Sequence, residues 1–481
     1  MGSGTQEFYP NENAASQSPP EIACRAPPRV ARWLRLEPSV QVPDDPKSYR
    51  RGWWAWALYD VANSAFWLVI VAAIFPFFYQ GLYVHSRNPT GKPLDAAELM
   101  ALKTQGGSWL GYTAGIAMAV VAVLGPVLGA VSDRSAVKKK LLAGFASLGI
   151  LSTGLMVFIG PGDLVLASIL YAVGTVGVAG SMVFYDALLP SVARPDDLDR
   201  ISSFGFAAGY LGSVVLFGLN VLFLKRPGWF GLADEGAAAR ASFVTVALWW
   251  AAFTLPLLRH VREPAVTESK GGGNILIDGF RQLGGTFRKL GTYKQLLLFL
   301  IAFWIYSDGI GTIIKMATPF GNSLGVQTGD LMLALILTQI IGVPCALAFG
   351  RMAKRTGAKA GILIGLAAYA GICVFANFMT QTWHFYVLAI GVGLVQGGTQ
   401  SLSRSLFATM IPQGQSGEFF GFFSTMEKFA GIIGPFLLGI LWGEGGDPRK
   451  GILALAVLFV AGAALLWKVD VAAGRKAVSP R

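Results

Sequence analysis

The chain has 481 residues, of which 53% are hydrophobic and only 14% are charged. Soluble domains carry about a quarter charged residues, so this composition excludes an ordinary soluble enzyme and indicates a membrane protein. The formal net charge of +12 would suit a nucleic-acid partner. The basic residues lie between apolar runs instead of clustering on one soluble face, so we expect no nucleic acid.

Apolar runs of about 20 residues recur along nearly the whole chain, and each can span the ~30 Å hydrocarbon core as a helix. Backbone groups in lipid must be hydrogen-bonded within the segment, and the period of two that marks a β-barrel is absent. We therefore predict an all-α membrane protein with twelve transmembrane helices in two six-helix pseudo-repeats. The expected spans are 53–79, 107–131, 141–160, 164–189, 202–224, 241–260, 295–318, 328–350, 359–379, 384–411, 418–442 and 450–468.

The polar stretches between the spans divide the chain into parts. We predict a disordered cytoplasmic tail at 1–50, an N-terminal six-helix bundle at 51–260, a cytoplasmic connector at 261–293, a C-terminal six-helix bundle at 294–470 and a cytoplasmic tail at 471–481. The first 50 residues are polar and proline-rich and have no apolar signal segment, so we expect the first span to direct insertion.

Lys and Arg residues predict the orientation. The loops after spans two and eight and the central connector are rich in them, whereas the loops after spans three, seven and nine contain none. Basic loops remain in the cytoplasm, so we expect both termini to be cytoplasmic.

Short matches relate the two halves. Phe204-Gly205-Phe206 opens span five, and Phe420-Gly421-Phe422 opens span eleven. The segment 129–140 after span two likewise corresponds to 350–361 after span eight. A parallel repeat of six plus six spans predicts a solute site near the middle of the membrane, between the halves.

Polar and ionisable residues inside the spans are the candidate site residues. A charge at the bilayer centre costs about 2.5–3.5 kcal/mol on insertion scales, so it normally faces a cavity or a partner. Spans three, six, nine and twelve carry none across their cores, so we expect them at the periphery. Residues at i, i+3 and i+4 share a helix face. On that basis the substrate pathway is predicted to contain Asp60 and Asn63 on span one, Asp308 on span seven, and Gln396, Gln400 and Arg404 on span ten.

Coupling to protons has two candidates, Asp308 and Glu427, because a buried carboxylate can take up a proton in one state and release it in another. Glu427 is followed by Lys428, and adjacent residues diverge by about 100° around a helix. The two side chains therefore cannot both point at one spot, and we expect one of them to meet a neighbouring helix. The sequence leaves open which of them faces the cavity.

A cytoplasmic gate is predicted from charges near helix ends. Such charges can bridge to the termini of facing helices in one state of a rocking transporter and separate in the other. Asp186 lies near the cytoplasmic end of span four, where capping or gating is as plausible as contact with substrate. The gate candidates are Asp133, Arg134, Asp186, Arg355 and Glu418.

Other chemistries find little support. The three His and three Cys residues are scattered, so we expect no metal, no cofactor and no disulfide framework. No phosphate-binding GxxxxGK[ST] loop is present, which disfavours ATP-driven pumping. No nucleophile and base are paired, so we do not expect an enzyme.

Five segments resemble the vacuole-effluxer-like branch of the major facilitator superfamily, which includes fungal vacuolar amino-acid exporters. They are WALYDVANSAF, FYDALLPSVA, WIYSDGIGTIIKMA, SLSRSLFATMIP and GEFFGFFSTMEKFAGIIGPFLLG, and the likeness runs from about Trp53 to Trp467. The resemblance implies an alternating-access carrier whose cavity is lined by spans one, four, seven and ten. It places Asp60, Asn63, Asp186, Asp308, Arg404, Glu427 and Lys428 on the family's motif positions. It also implies a bacterial cytoplasmic membrane, or a vacuolar membrane if the chain is fungal.

The function we expect is outward secondary transport of a small polar solute such as a neutral amino acid, with proton coupling as one source of driving force. Arg404 would bind the carboxylate through two hydrogen bonds, and Asp60 or Asp308 would bind the ammonium group. Two alternatives stay open: efflux of amphipathic compounds or lipids, and a non-transporting scaffold or receptor. The expected partners are the solute, protons and membrane lipids, and the chain is expected to be a monomer.

Overall fold

A computed structural model describes residues 1, 2, 4, 45–263, 291–323, 326–430 and 448–478. The described residues contain helices and no strands. All of these helices lie in one compact unit, Val40–Arg481. The predicted connector, 261–293, lies almost entirely outside the described residues, as does most of the predicted tail at 1–50.

Eleven helices in the described part are long and apolar enough to cross a membrane. A twelfth expected span, 418–442, is described only in its first part, as α11. The helices are α1 (Pro46–Arg87), α2 (Ala96–Ser135), α3 (Lys138–Leu155), α4 (Leu164–Ala187), α5 (Leu198–Lys225), α6 (Glu235–His260), α7 (Lys294–Ser323), α8 (Thr328–Thr356), α9 (Ala358–Asn377), α10 (Thr382–Ala408), α11 (Ser416–Phe429), α12 (Ala456–Trp467) and α13 (Val471–Val478). A short helix, Pro448–Ala454, precedes α12.

Helix α1 begins seven residues before the expected span because its first turn is well capped. The Asp45 carboxylate accepts hydrogen bonds from the backbone N–H groups of Lys47 (3.3 Å) and Ser48 (2.9 Å). Pro46 is its first residue, where the missing N–H costs nothing. The same helix passes through a π-helical stretch at Phe66–Ala73, directly after the polar face that carries Asp60.

The packing of the helices separates a central set from a peripheral set. The apolar stretches of α1, α4 and α7 are more than half buried, whereas those of α3, α6, α9 and α12 are less than two fifths buried. This agrees with the expectation that every third helix is peripheral. Helix α8 departs from it, since only 22% of its apolar stretch is buried.

In the described residues the halves meet mainly at two seams: α2 packs against α11, and α5 packs against α8 and also contacts α10. Small residues bring the backbones of α2 and α11 together. A Cβ atom added at Gly421 would lie 2.6 Å from the Pro126 Cα and 2.7 Å from the Gly125 carbonyl oxygen, and one added at Gly129 would clash with the Gly417 carbonyl. Glycines four residues apart, facing each other on two helices, permit this close contact in membranes.

Candidate functional site: a buried arginine shared between the two halves

Arg404, on α10 of the second half, lies among residues of the first half. Its guanidinium group donates from Nη1 to Asp186 Oδ1 (3.1 Å) and from Nη2 to Asp60 Oδ2 (3.4 Å). It also donates from Nε to the Ser202 hydroxyl (2.9 Å) and from Nη2 to the Ser202 carbonyl oxygen (3.0 Å). Only 3% of Arg404 is exposed. We call Arg404, Asp60, Asp186, Ser202 and Tyr185 the Arg404 cluster.

Aromatic rings surround the guanidinium group. Its carbon lies 4.6 Å from the ring centroid of Phe206, 4.8 Å from that of Trp56 and 5.5 Å from that of Tyr185. The Tyr185 hydroxyl donates to Asp60 Oδ2 (2.6 Å), and the Trp56 indole N–H donates to the Tyr185 carbonyl oxygen (2.9 Å). Aromatic faces attract cations and exclude water, so they strengthen the ion pairs that they enclose.

Gly205 on α5 makes room for this arrangement. A Cβ atom there would clash with the Asp60 carboxylate and would lie 3.1 Å from Trp56 and 3.3 Å from Arg404 Nη2. The segment Phe204-Gly205-Phe206 of α5 therefore supplies an aromatic ring beside Arg404 and the space in which the ion pairs form.

The cluster has two carboxylates for one guanidinium ion. With all three groups ionised it carries one excess negative charge, and the side chains are buried. Buried charge without compensation is strongly destabilising. This arrangement therefore favours a further cationic group, such as a proton or an ammonium ion.

Three more pathway candidates, Asn63, Gln396 and Gln400, lie on the helices that carry Asp60 and Arg404. The Asn63 amide is buried and donates to the Tyr59 carbonyl oxygen in its own helix (2.7 Å). Gln400 and Gln396 are half-buried one and two turns before Arg404 on α10. The stripe that the sequence predicts on span ten is thus present as a row of positions leading away from Arg404.

A second group of charges lies within the second half. Lys315 on α7 is within electrostatic range of Asp308 on the same helix and of Glu427 and Lys428 on α11. Asp308 is fully buried. No hydrogen bond or ion pair between described residues joins Asp308 to Arg404, but Glu427 lies within electrostatic range of both Lys315 and Asp186.

Glu427 and Lys428 form an ion pair with each other. Lys428 Nζ lies 3.0 Å from Glu427 Oε2. Backbone directions that diverge by about 100° do not prevent contact, because both side chains are long enough to bend toward each other. The Lys428 side chain is 8% exposed and that of Glu427 is 47% exposed.

Asp133 holds the start of α11. Its carboxylate accepts hydrogen bonds from the backbone N–H groups of Gly417 (2.9 Å) and Glu418 (2.8 Å), and Lys138 Nζ lies 2.7 Å from Asp133 Oδ1. A carboxylate at a helix N-terminus satisfies unpaired N–H groups and interacts favourably with the helix dipole. The predicted contact of Asp133 with the facing helix is therefore present, and Glu418 is fully buried beside it. The Arg134 side chain lies outside the described residues.

The other seam has a corresponding contact at the same end of the bundle, which we call the Asp133 end. Lys354, near the end of α8, lies 3.8 Å from Asp197, just before α5. Ser405 on α10 donates a hydrogen bond to Asp199 on α5. The sequence analysis assigns such a contact to Arg355, but Arg355 is exposed and makes no hydrogen bond or ion pair with a described residue. Lys354, one residue earlier, turns toward α5 instead.

The structure also changes the placement of Asp186 and adds residues to the site. Asp186, a gate candidate in the sequence, lies against Arg404 together with Asp60. Tyr185 lies in a segment that carries the family resemblance, and Phe206 lies in the Phe-Gly-Phe segment repeated between the halves. Both residues could therefore have been selected from the sequence. Ser202 carries no such signal, because hydroxyl groups are common in the packing of membrane helices.

In the described residues no group of three or more His, Cys, Asp or Glu side chains is arranged to hold a metal ion.

Solved structures share this architecture. The human organic anion transporter MFSD10 aligns with a TM-score of 0.62 at 14% identity, over 87% of this chain and 99% of that one. The proton:xylose symporter XylE, solved with 6-bromo-6-deoxy-D-glucose, aligns with a TM-score of 0.68 at 15% identity, over 88% and 96% of the two chains. At such identities the likeness shows the fold alone. The fold is that of the major facilitator superfamily.

Relatives in sequence define the class more narrowly. Residues 48–479 match the family described as "Vacuole effluxer Atg22 like". The uncharacterized MFS-type transporter YxiO of Bacillus subtilis (strain 168) is 36% identical over 86% of this chain and 93% of its own length. Autophagy-related protein 22-1 of Phaeosphaeria nodorum is 26% identical over 93% and 94%. This chain is a multi-pass membrane transporter and not an enzyme, and it belongs to the vacuole effluxer Atg22-like family.

Proposed function

We propose that the chain exports a small zwitterionic solute, most simply a neutral amino acid, by alternating access. The observation that carries this proposal is the buried Arg404 held by Asp60 and Asp186 from the other half. A zwitterion needs a cation for its carboxylate and an anion for its ammonium group. The Arg404 cluster contains both, and a guanidinium group can bind a carboxylate through two parallel hydrogen bonds.

The solute can replace the ion-pair partners of Arg404, Asp60 and Asp186, and this replacement explains how the halves separate. When they part at the Asp133 end, Arg404 leaves both carboxylates, and each separated ion would otherwise be unpaired. Leaving a buried charge without its partner costs about 3–5 kcal/mol. A bound zwitterion removes that cost because its carboxylate takes Arg404 and its ammonium group takes Asp60 or Asp186. Occupancy by solute is thereby coupled to the conformational change.

Proton coupling follows from the charge balance. The cluster has one carboxylate more than it has cations, so a proton on Asp60 or Asp186 neutralises the empty site. Asp308 and Glu427 remain coupling candidates in the second half, where Lys315 and Lys428 lie close to them. A carboxylate that is buried in one state and hydrated in the other binds its proton alternately.

The contacts at the Asp133 end act as the gate. Asp133 with the start of α11, and Lys354 with Asp197, each join the two halves. The basic loops favour a cytoplasmic location for this end. The described conformation is then closed toward the cytoplasm, and a solute on its way out enters when these contacts break.

Reconstituted protein tests this proposal with three labelled compounds that share one side chain. Proteoliposomes are offered leucine, leucinamide, which lacks the carboxylate, and 4-methylpentanoate, which lacks the ammonium group, with and without an imposed pH gradient. We expect leucine to be transported at least about tenfold faster than either analogue, since each missing ionic hydrogen bond costs about 1.5–3 kcal/mol. Equal rates for all three compounds would overturn the zwitterion site. If the rate of leucine transport does not respond to the pH gradient, the hypothesis of proton coupling is wrong, but the zwitterion site is unaffected.

A further inference from the structure

A groove lined by two arginines lies at the α5–α8 seam, away from the Arg404 cluster. It is lined by Trp53 of α1, by Arg200, Ile201 and Phe204 of α5, and by Leu347, Gly350 and Arg351 of α8. It encloses about 180 Å³, far more than the roughly 10–15 Å³ that one ordered water requires. The groove therefore has room for a chemical group much larger than water.

The groove opens on the outer face of α5. Successive residues of an α-helix are about 100° apart, so residues two positions apart lie on nearly opposite faces. Arg200 and Phe204 are each two positions from Ser202, which faces Arg404. Phe204 shares its face with Leu211 and Val215, each 56% exposed. That exposed apolar stripe is the surface which α5 turns toward lipid.

The charge and the rings of the groove match a lipid headgroup. Arg200 and Arg351 are both exposed, and the Arg200 guanidinium lies 5.8 Å from the ring centroid of Trp53. Asp197 pairs with Arg200 at 3.2 Å, and Lys354 lies 3.8 Å from the same carboxylate. Three cations against one carboxylate leave an excess of positive charge. Trp and Arg at the ends of membrane helices lie at headgroup level, and basic pockets between helices bind anionic headgroups.

We propose that this groove binds one anionic phospholipid. Arg200 and Arg351 hold its phosphate, the Trp53 ring covers the glycerol region, and an acyl chain lies along Phe204, Leu211 and Val215. Because α5 belongs to one half and α8 to the other, the lipid joins the halves at the Asp133 end. It therefore stabilises the conformation in which that end is closed.

The test compares lipids on purified, delipidated protein in detergent. Phosphatidylglycerol, phosphatidylcholine with the same acyl chains, and inorganic phosphate are titrated, and binding is followed by native mass spectrometry and by the midpoint of thermal unfolding. We expect phosphatidylglycerol to bind and raise the midpoint, because a ligand that binds only the folded state stabilises it. Phosphatidylcholine and phosphate should have little effect. Equal binding of both lipids, or full protection by phosphate alone, would overturn the proposal.

Variants locate the site. Arg200→Gln with Arg351→Gln is expected to weaken phosphatidylglycerol binding about tenfold or more, since each hydrogen bond to a charged group contributes about 1.5–3 kcal/mol. Arg226→Gln is the matched control, because Arg226 also lies over a tryptophan ring, 5.6 Å from the Trp229 centroid, but lines no part of the groove. Leu347→Trp fills the groove without changing its charge and should weaken binding as well. Unchanged binding in the double variant or in Leu347→Trp would contradict the assignment.

Discussion

Replacing Arg404 with glutamine is expected to lower the transport rate about a hundredfold or more. The substitution removes a carboxylate contact made of two ionic hydrogen bonds, together about 3 kcal/mol or more, and each 1.4 kcal/mol is a factor of ten. Arg404→Lys should recover little of this rate, because an ammonium group cannot reproduce the planar pair of donors. Initial rates of solute uptake into proteoliposomes measure both variants. A rate within threefold of the unmodified protein in Arg404→Gln would contradict the proposed role.

A structural explanation of that loss can be tested separately. Arg404→Gln leaves Asp60 and Asp186 buried without their cation, which should lower the stability of the closed state by about 3–5 kcal/mol. The triple variant Asp60→Asn, Asp186→Asn and Arg404→Gln has no unpaired charge, so we expect its unfolding midpoint to recover while transport stays absent. If the unfolding midpoint and the transport rate both recover, the Arg404 cluster only holds the two halves together and does not bind the solute.

Replacing Asp133 with alanine is expected to open the Asp133 end of the transporter. The carboxylate binds two backbone N–H groups of α11 and the Lys138 ammonium group, all buried or partly buried. Its loss should cost the closed conformation about 2–3 kcal/mol, which shifts the ratio of closed to open states about 30- to 150-fold. Spin labels on Ser135→Cys and Gln413→Cys would report this shift as a longer distance across the seam between α2 and α11.

Asp234 provides the control for that measurement. It caps α6 by accepting a hydrogen bond from the backbone N–H of Ala237 (2.6 Å), and α6 lies entirely in the first half. Asp234→Ala should cost about 1 kcal/mol of local stability, as capping residues do, without changing the distance across the seam. If both aspartate variants leave that distance unchanged, Asp133 is a cap and has no part in the gate.

The sequence predicts the fold and the charged helix faces but not which charges pair. The spans, the central set of α1, α4 and α7, and the candidates Asp60 and Arg404 follow from hydropathy, spacing and resemblance. The partnership of Arg404 with Asp186 does not. The spacing of residues along one helix determines which of them share a helix face. An ion pair between two helices depends instead on the relative height and rotation of those helices, which are set by packing across the seam.

Two side-chain contacts of the structure do not follow from the sequence, for related reasons. The Cα–Cβ directions of Glu427 and Lys428 diverge, but both side chains are long and flexible enough to bend toward each other and form an ion pair. Among the described residues, Lys354 forms an ion pair across the seam and Arg355 forms no hydrogen bond or ion pair, because a shift of one residue at a helix end turns a side chain by about 100°. Helix α8 also approaches α5 closely at Gly350, where an added Cβ atom would lie 2.7 Å from the Ser203 Cβ.

A disulfide across the α5–α10 contact tests most directly whether the Arg404 cluster must come apart during transport. The hydroxyl oxygens of Ser203 and Ser401 are 3.0 Å apart, and these residues are neighbours of the cluster on opposite halves. Cysteines at both positions, in a chain whose three native cysteines are replaced by serine, need only a small adjustment to reach the ~2.05 Å sulfur–sulfur bond. Labelled-solute transport is measured after oxidation and again after reduction, with the disulfide yield determined by mass spectrometry. We predict that transport falls below about a tenth on oxidation and returns on reduction, whereas an oxidised protein that keeps its full rate at high disulfide yield would contradict the account.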